Sequence, residues 1–208
     1  MSDPNYTALM LIIDRSGSMS SIRDDMVGGL TTLVEEQKKQ PGLFTISMVS
    51  FDNQVELKHQ MASPGSVTIE LEPRGGTALY DAMGFGLNTM QANIDALPDH
   101  AKPETVQIVV VTDGAENASS EYTGTTIKHL VTEKTTQNNW DIVFLGANQD
   151  AVMKAAELGI QRERSMTYGA NAGGVRGASE SLNRYVSDRR SGSKTQFSPE
   201  ERRKSSGN

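Results

Sequence analysis

The stretch ALMLIIDRSGS, residues 8–18, decides the fold. Six apolar residues in succession, 8–13, suit a strand buried on both faces, because no alternate position is polar. The run stops at Asp14, and Arg15-Ser16-Gly17-Ser18 that follows is made of turn and helix-capping residues. A carboxylate and two hydroxyls thus stand where a buried strand ends, which is where open α/β sheets place their ligand sites.

Outward from this stretch, the hydrophobic period alternates between strand and helix. Ile22, Met26, Leu30, Leu33, Val34 and Gln37 follow helical spacing, and Pro41-Gly42 ends the segment. Phe44, Ile46 and Met48 alternate with Thr45 and Ser47 up to Phe51; the turn Asp52-Asn53 and a second alternating run at Val55 and Leu57 make a hairpin. A weaker extended stretch at Val67, Ile69 and Leu71 leads into Pro73-Arg74-Gly75-Gly76-Thr77. A long amphipathic helix then follows through Leu79, Met83, Leu87, Met90, Ile94 and Leu97. The second half repeats the pattern: strand 106–112, loop 113–125, a helix around Ile127, Leu130 and Val131, strand 140–145, and a short helix 151–158. Val175, Ala178, Leu182, Tyr185 and Val186 form a last helical face. Such alternation predicts a three-layer, doubly wound α/β domain with a mostly parallel sheet covered on both faces.

Size and charge bound what this domain does. A chain of 208 residues predicts one domain over residues 1–187 and a tail over 188–208. The tail holds six of the 20 Lys and Arg but three of the 26 Asp and Glu, so it is +3 and the other 187 residues are −9. It is nearly free of apolar residues, which predicts flexibility, most clearly from Ser191 onward. The acidic body argues against sequence-independent binding to nucleic acid and favours a cation. Without cysteine there are no disulfides, thiolate metal sites or cysteine nucleophiles. No apolar run has the length of a secretion signal or membrane span, so the expected place is the cytoplasm, with no membrane partner.

Three loops follow the strand-to-helix logic to the same end of the sheet: Asp14 to Ser18, Gly75-Gly76-Thr77 and Thr112-Asp113-Gly114. Their side chains offer two carboxylates and three hydroxyls with no Cys or His, a donor set for Mg²⁺, Ca²⁺ or Mn²⁺ more than for zinc. Each loop alone reads as a cap or turn; three together, two of them at the tips of buried strands, read as a metal site. Asp14-x-Ser16-x-Ser18, Gly76-Thr77 and Thr112-Asp113-Gly114, over roughly residues 6–160, resemble the metal-ion-dependent adhesion site (MIDAS) of the von Willebrand factor type A (VWA) family, here of a small intracellular type. The resemblance implies a Rossmann-like sheet with one antiparallel edge strand, Ser16 and Ser18 as inner ligands, and Asp14, Thr77 and Asp113 completing or tuning the shell. Beyond Gly159 the chain departs from the family pattern as recognised.

The expected function is a non-enzymatic module in which an Asp or Glu of a partner protein completes the metal. A role in assembly beside an AAA-type ATPase, as in some intracellular members, is a narrower form of it. The enzyme alternative is a Mg²⁺-dependent hydrolase or phosphatase of the haloacid dehalogenase-like type. That chemistry needs a general-acid aspartate two residues after the first, where Ser16 stands. His59, His100 and His129 lie outside the three loops and read as solvated. Asp81, one helical turn past Thr77, reads as a supporting or surface group; Asp52, Asn53 and Asn117 read as turn residues, and residues 169–174, GANAGG, as a flexible loop.

Overall fold

A computed structural model describes residues 2–147 and 150–207. Its sheet has six strands in the order β3-β2-β1-β4-β5-β6. The apolar run of residues 8–13 lies in β1 (Asp3–Asp14), which pairs in parallel with β2 (Leu43–Phe51) on one side and β4 (Pro103–Thr112) on the other. Burial on both faces explains the unbroken apolar run. Leu9, Leu11 and Ile13 face α1 (Arg23–Lys38) and α5 (Ala172–Arg190), whereas Ala8, Met10 and Ile12 face α2 (Leu79–Asp95) and α3 (Gly124–Thr136). The hairpin is formed by β2 and antiparallel β3 (Val55–Ala62), whose exposed alternate residues mark it as the edge. On the other flank β5 (Asp141–Ala147) and β6 (Ser165–Tyr168) add in parallel, joined by α4 (Ala151–Glu157). The fold class is the one predicted: three layers, a mostly parallel sheet, one antiparallel edge. Among the described residues no helix is long and apolar enough to cross a membrane.

The structure differs from the sequence reading in four places. Residues 67–71 form no strand; Ile69 and Leu71 are buried as irregular chain against the α1 and α5 side of the core. Strand β6 was not anticipated, being four residues long with three hydroxyls. The GANAGG stretch is the start of α5 more than a loop: Asn171 caps the helix by accepting the Gly174 N–H at 2.9 Å. The segment expected to be a flexible tail is packed. It carries a further helix, α6 (Pro199–Ser205), with Ser198 and Glu201 in a capping box, and buries Phe197 beside Tyr185 with ring centroids 4.9 Å apart. Composition alone missed one aromatic anchor and one capped turn.

Because the β1→β2 connection runs one way across the sheet and the path to β4 the other, the tips of β1 and β4 open a crevice at the switch point. A buried carboxylate fixes the loops there. Asp52, just past β2, accepts Arg15 Nε at 3.0 Å, Arg74 Nε at 2.7 Å and the Gln54 N–H at 2.7 Å. Arg15 also holds Glu56 at 2.7 Å. The Arg74 N–H donates to Arg15 O at 2.8 Å, the Ala78 N–H to Asp52 O at 2.8 Å, and the Gly17 N–H to Gly75 O at 3.2 Å, so the loops at 14–18 and 74–78 are tied as one unit.

Burial pushes the Asp52 carboxyl up, but the Arg74 and Gln54 hydrogen bonds and the two arginine charges outweigh it and hold it below the usual carboxylate range. A depressed native pKa adds stability above the unfolded pKa, about 4, and that stability is lost as pH falls through the native value. Asp52→Asn should therefore cost about 3 kcal/mol near neutrality, the low end for breaking a buried ion pair. Urea unfolding of both proteins from pH 7 to pH 3 should show the gap closing below about pH 4; a gap independent of pH would contradict this role.

Candidate functional site

All five residues expected from the sequence stand at this crevice. Asp14 ends β1 with no exposure, and both its oxygens are engaged: Oδ1 accepts the Ser16 N–H at 2.7 Å and Oδ2 the Thr112 hydroxyl at 2.6 Å. That second bond joins the tips of β1 and β4. Ser16 Oγ lies 3.0 Å from Ser18 Oγ, and Ser18 Oγ donates to Asp113 Oδ1 at 2.6 Å. Burial raises the Asp14 carboxyl, against hydrogen bonds from Thr112 and Ser16, and the neighbouring Asp113 raises it further; burial raises Asp113 too, against a Ser18 bond. Two carboxylates that are hard to ionise side by side are stabilised by a cation between them.

Gly114 shows where the oxygens converge. A Cβ built on it would lie 2.9 Å from Thr77 Oγ1, 3.6 Å from Ser18 Oγ and 3.8 Å from Ser16 Oγ. Three hydroxyl oxygens from two loops thus surround one point on the third loop, and a side chain there would intrude upon them. This donor set fits a hard divalent cation held by Ser16, Ser18 and Thr77 with Asp14 and Asp113 beside them. Among the described residues no group of three or more His, Cys, Asp or Glu could hold a metal.

Residues read as turns or surface prove to be its scaffold. Asn53 Oδ1 accepts the Gly76 N–H at 2.7 Å, and Asn117 Oδ1 accepts the Thr77 N–H at 2.8 Å. Of the two roles expected of Asp81, supporting or surface, it takes the supporting one: it accepts the N–H groups of Ser120, Glu121 and Tyr122 at 2.8 to 2.9 Å, clamping the loop after β4 onto the start of α2. Glu116, not singled out in the sequence, accepts the Tyr80, Ala118 and Ser119 N–H groups. The available signal was chemical: each is an acceptor beside a loop with orphan backbone donors. Tyr168, from β6, is buried beneath the site and donates to Thr112 O at 3.2 Å; burial and the charges of Asp113 and Asp14 raise its hydroxyl well above normal. Among the described residues the histidines make no side-chain hydrogen bond to these loops; His59, for one, bonds the Thr68 backbone beside β3. A surface groove of about 350 Å³ between α1 and α5 is lined by none of the five site residues.

No protein-family model matches the chain, and no curated protein matches it. Solved structures do. PTMP1 from the mussel byssus, in a form with its MIDAS motif occupied by zinc, superposes with a TM-score of 0.62 at 14% identity, over 88% of this chain and 46% of that one. A von Willebrand factor type A protein from Catenulispora acidiphila gives 0.57 at 15% identity, over 87% of this chain and 42% of that one. The vWF domain of the type V pili tip protein Mfa5 from Porphyromonas gingivalis gives 0.63 at 10% identity, over 93% of this chain and 98% of that domain. The chain therefore spans less than half of the first two proteins and nearly the whole of the third. At such identities the likeness speaks for architecture alone, and the architecture is that of the von Willebrand factor type A domain.

Proposed function

We propose that this chain is a metal-dependent protein-binding module: one divalent cation held by Ser16, Ser18 and Thr77 with Asp14 and Asp113, completed by an Asp or Glu of a partner protein. The observation that carries this reading is the convergence of three hydroxyl oxygens on the space left by Gly114, with the buried carboxylate of Asp14 and the half-buried one of Asp113 alongside. When bound, the cation supplies an electrophilic centre, since neutral hydroxyl ligands leave its charge largely uncompensated. The chain's own work is to orient. The Asp52 link fixes the first loop against the second, Asn53 and Asn117 aim the Thr77 segment, and Asp81 and Glu116 hold the third loop. Oxygen donors favour Mg²⁺, Mn²⁺ or Ca²⁺, and the zinc at the mussel protein's motif keeps zinc among the ions to test. A place beside an AAA-type ATPase would be one use of such a module, and the cytoplasm remains the proposed location.

The hydrolase alternative finds no supporting observation. Ser16 is neutral where a general acid would stand, and its backbone and hydroxyl are committed to Asp14 and Ser18. We therefore read the chain as a non-enzyme; metal-dependent phosphatase turnover lost on Asp14→Asn would reverse this.

Calorimetry with Mg²⁺, Mn²⁺, Ca²⁺ and Zn²⁺ should show one site, and saturating metal should raise Tm by mass action. Gly114→Ala should keep the fold by circular dichroism yet weaken binding about tenfold or more, a loss of about 1.4 kcal/mol. Full-strength binding in that variant, or none in the natural chain, defeats the site.

Partner binding gives a separate test. Affinity capture with and without EDTA, using Asp14→Ala as control, should yield partners only when metal is held. Neutralising the contacting carboxylate of such a partner should cost a few kcal/mol. A partner retained equally in EDTA would make the metal structural.

A further inference from the structure

The groove of about 350 Å³ between α1 and α5 is lined from one side by Asp25, Gly28 and Gly29 and from the other by Arg176, Ser179 and Glu180, among others. Its two glycines have different reasons to be there. A Cβ at Gly29 would run into the Ser179 hydroxyl, so Gly29 marks where the two helices touch. A Cβ at Gly28 would meet nothing within 4 Å, and Gly28 lies inside α1 with no left-handed φ. Neither packing nor backbone shape therefore calls for glycine at 28, where it weakens the helix relative to alanine. Its effect is to leave the floor of the groove as bare, exposed backbone.

The walls carry charge that the chain leaves unmet. Among the described residues the carboxylates of Asp25 and Glu180 make no hydrogen bond or ion pair, and Arg176, one turn before Glu180, bonds neither of them. Asp24, also in the lining, is met by Arg23 at 2.7 Å. Asp25 has a local reason, because a carboxylate in the first turn of a helix faces its positive end. Glu180 stands in the middle of α5 and has no such reason. Three carboxylates against one guanidinium leave the lining at −2, so a cation is the group it attracts.

We propose that this groove receives a lysine or arginine side chain of a partner protein, its aliphatic stem on the bare floor at Gly28 and its cationic head paired with Asp25 and Glu180. A floor without side chains admits a narrow stem, and unpaired carboxylates take a positive head; Lys and Arg combine the two. The groove also continues the face proposed for the metal. One short turn, residues 17–21, separates the 14–18 loop from α1, and α5, like α1, starts past the carboxyl end of a parallel strand, so one partner can reach both places. The proposal rests on the protein-binding reading for its occupant, a partner protein, while the metal takes no part in the contact.

The test titrates the isotope-labelled full chain, in EDTA, with the peptide acetyl-Gly-Gly-Arg-Gly-Gly-amide or its Lys analogue, and with the Gln analogue as control. Amide signals of residues 24–32 and 172–183 should move with the Arg and Lys peptides, half-saturating at about 1 mM, and stay still with the Gln peptide. Gly28→Leu should fold with a Tm no lower than the natural chain's, because leucine is the better helix former and has open space there, yet lose the shifts by filling the floor. Glu180→Gln should weaken the Arg peptide about threefold, and Arg176→Gln should tighten it by removing a like charge. No shift with either basic peptide, equal shifts with the Gln peptide, shifts that survive Gly28→Leu, or weaker binding in Arg176→Gln would each overturn the proposal. If Gly28→Leu does not fold by circular dichroism, the opposite signs expected of the two exposed positions, 176 and 180, decide the matter. Because EDTA removes any cation, the groove and the metal site fail separately.

Discussion

The loops of the crevice are organised by the Asp14 carboxylate, whose two oxygens hold the first loop with one and the tip of β4 with the other. An isolated buried carboxylate is costly, and this one persists because its donors are fixed by the strands that carry them. The core supplies that fixity. Residues 8–13 are sealed on both faces between parallel neighbours, so the position of Asp14 at the end of β1 is set by packing far larger in total than any single bond at the tip. Tyr168 extends the same logic from below: its hydroxyl reaches Thr112 O, and Thr112 reaches Asp14, so the flank of the sheet and its centre share one short chain of hydrogen bonds.

How much of this was legible in the sequence depends on the range of the interaction. Apolar runs and their abrupt ends gave β1, β4 and β5 because burial on both faces leaves a mark in every residue, and the alternation at 55–57 gave the edge strand β3 because only one of its faces is covered. Four of the five candidate residues, Asp14, Ser16, Ser18 and Asp113, could be brought to one crevice from the sequence because they lie at or just past strand tips, while Thr77 follows no strand and came only with the resemblance of its Gly-Gly-Thr loop. What was illegible is pairing over long separations. Asp52 looks like a turn residue and is one, accepting the Gln54 N–H, yet its second oxygen meets arginines 37 and 22 residues away. Asp81 likewise bonds amides about 40 residues on.

The C-terminal third shows the same limit in another form. Judged by composition, residues 188–208 lack the apolar area to offset the entropy of ordering, and the estimate is fair for the segment alone. The structure gives that segment a ready-made surface. Gly177 leaves room on α5 for the backbone at Lys204 and Ser205, and the carbonyls of Ser165 and Thr167 on β6 accept from Arg202 and Ser205, so ordering there satisfies groups that would be left to water. A glycine run and a polar tail each read as loose in isolation; their meaning is joint, and neither helical period nor apolar content records it. The short β6 was missed for the related reason that four residues with three hydroxyls carry too little pattern to stand out.

The site and the rest of the fold thus obey opposite rules. Elsewhere carboxylates are matched: Asp52 between two arginines and Glu201 in the Arg184 fork both sit below the ordinary range, so folding favours their charge. At the crevice Asp14 and Asp113 are raised by burial, with mutual repulsion adding at Asp14. A raised native pKa means the folded state holds the proton more tightly than the unfolded one, so ionising the pair costs stability as pH rises above about 4. Hydrogen bonds from Thr112, Ser16 and Ser18 offset part of that cost, but Arg15, which stands between Asp14 and Ser16 in sequence, does not turn toward the pair. Instead it is committed to Asp52 and Glu56, away from the crevice. A chain that places an arginine beside its buried carboxylates and then holds it elsewhere leaves their charge for something outside the chain to meet. That exclusion, as much as the oxygens themselves, is what makes a cation the natural complement of these loops.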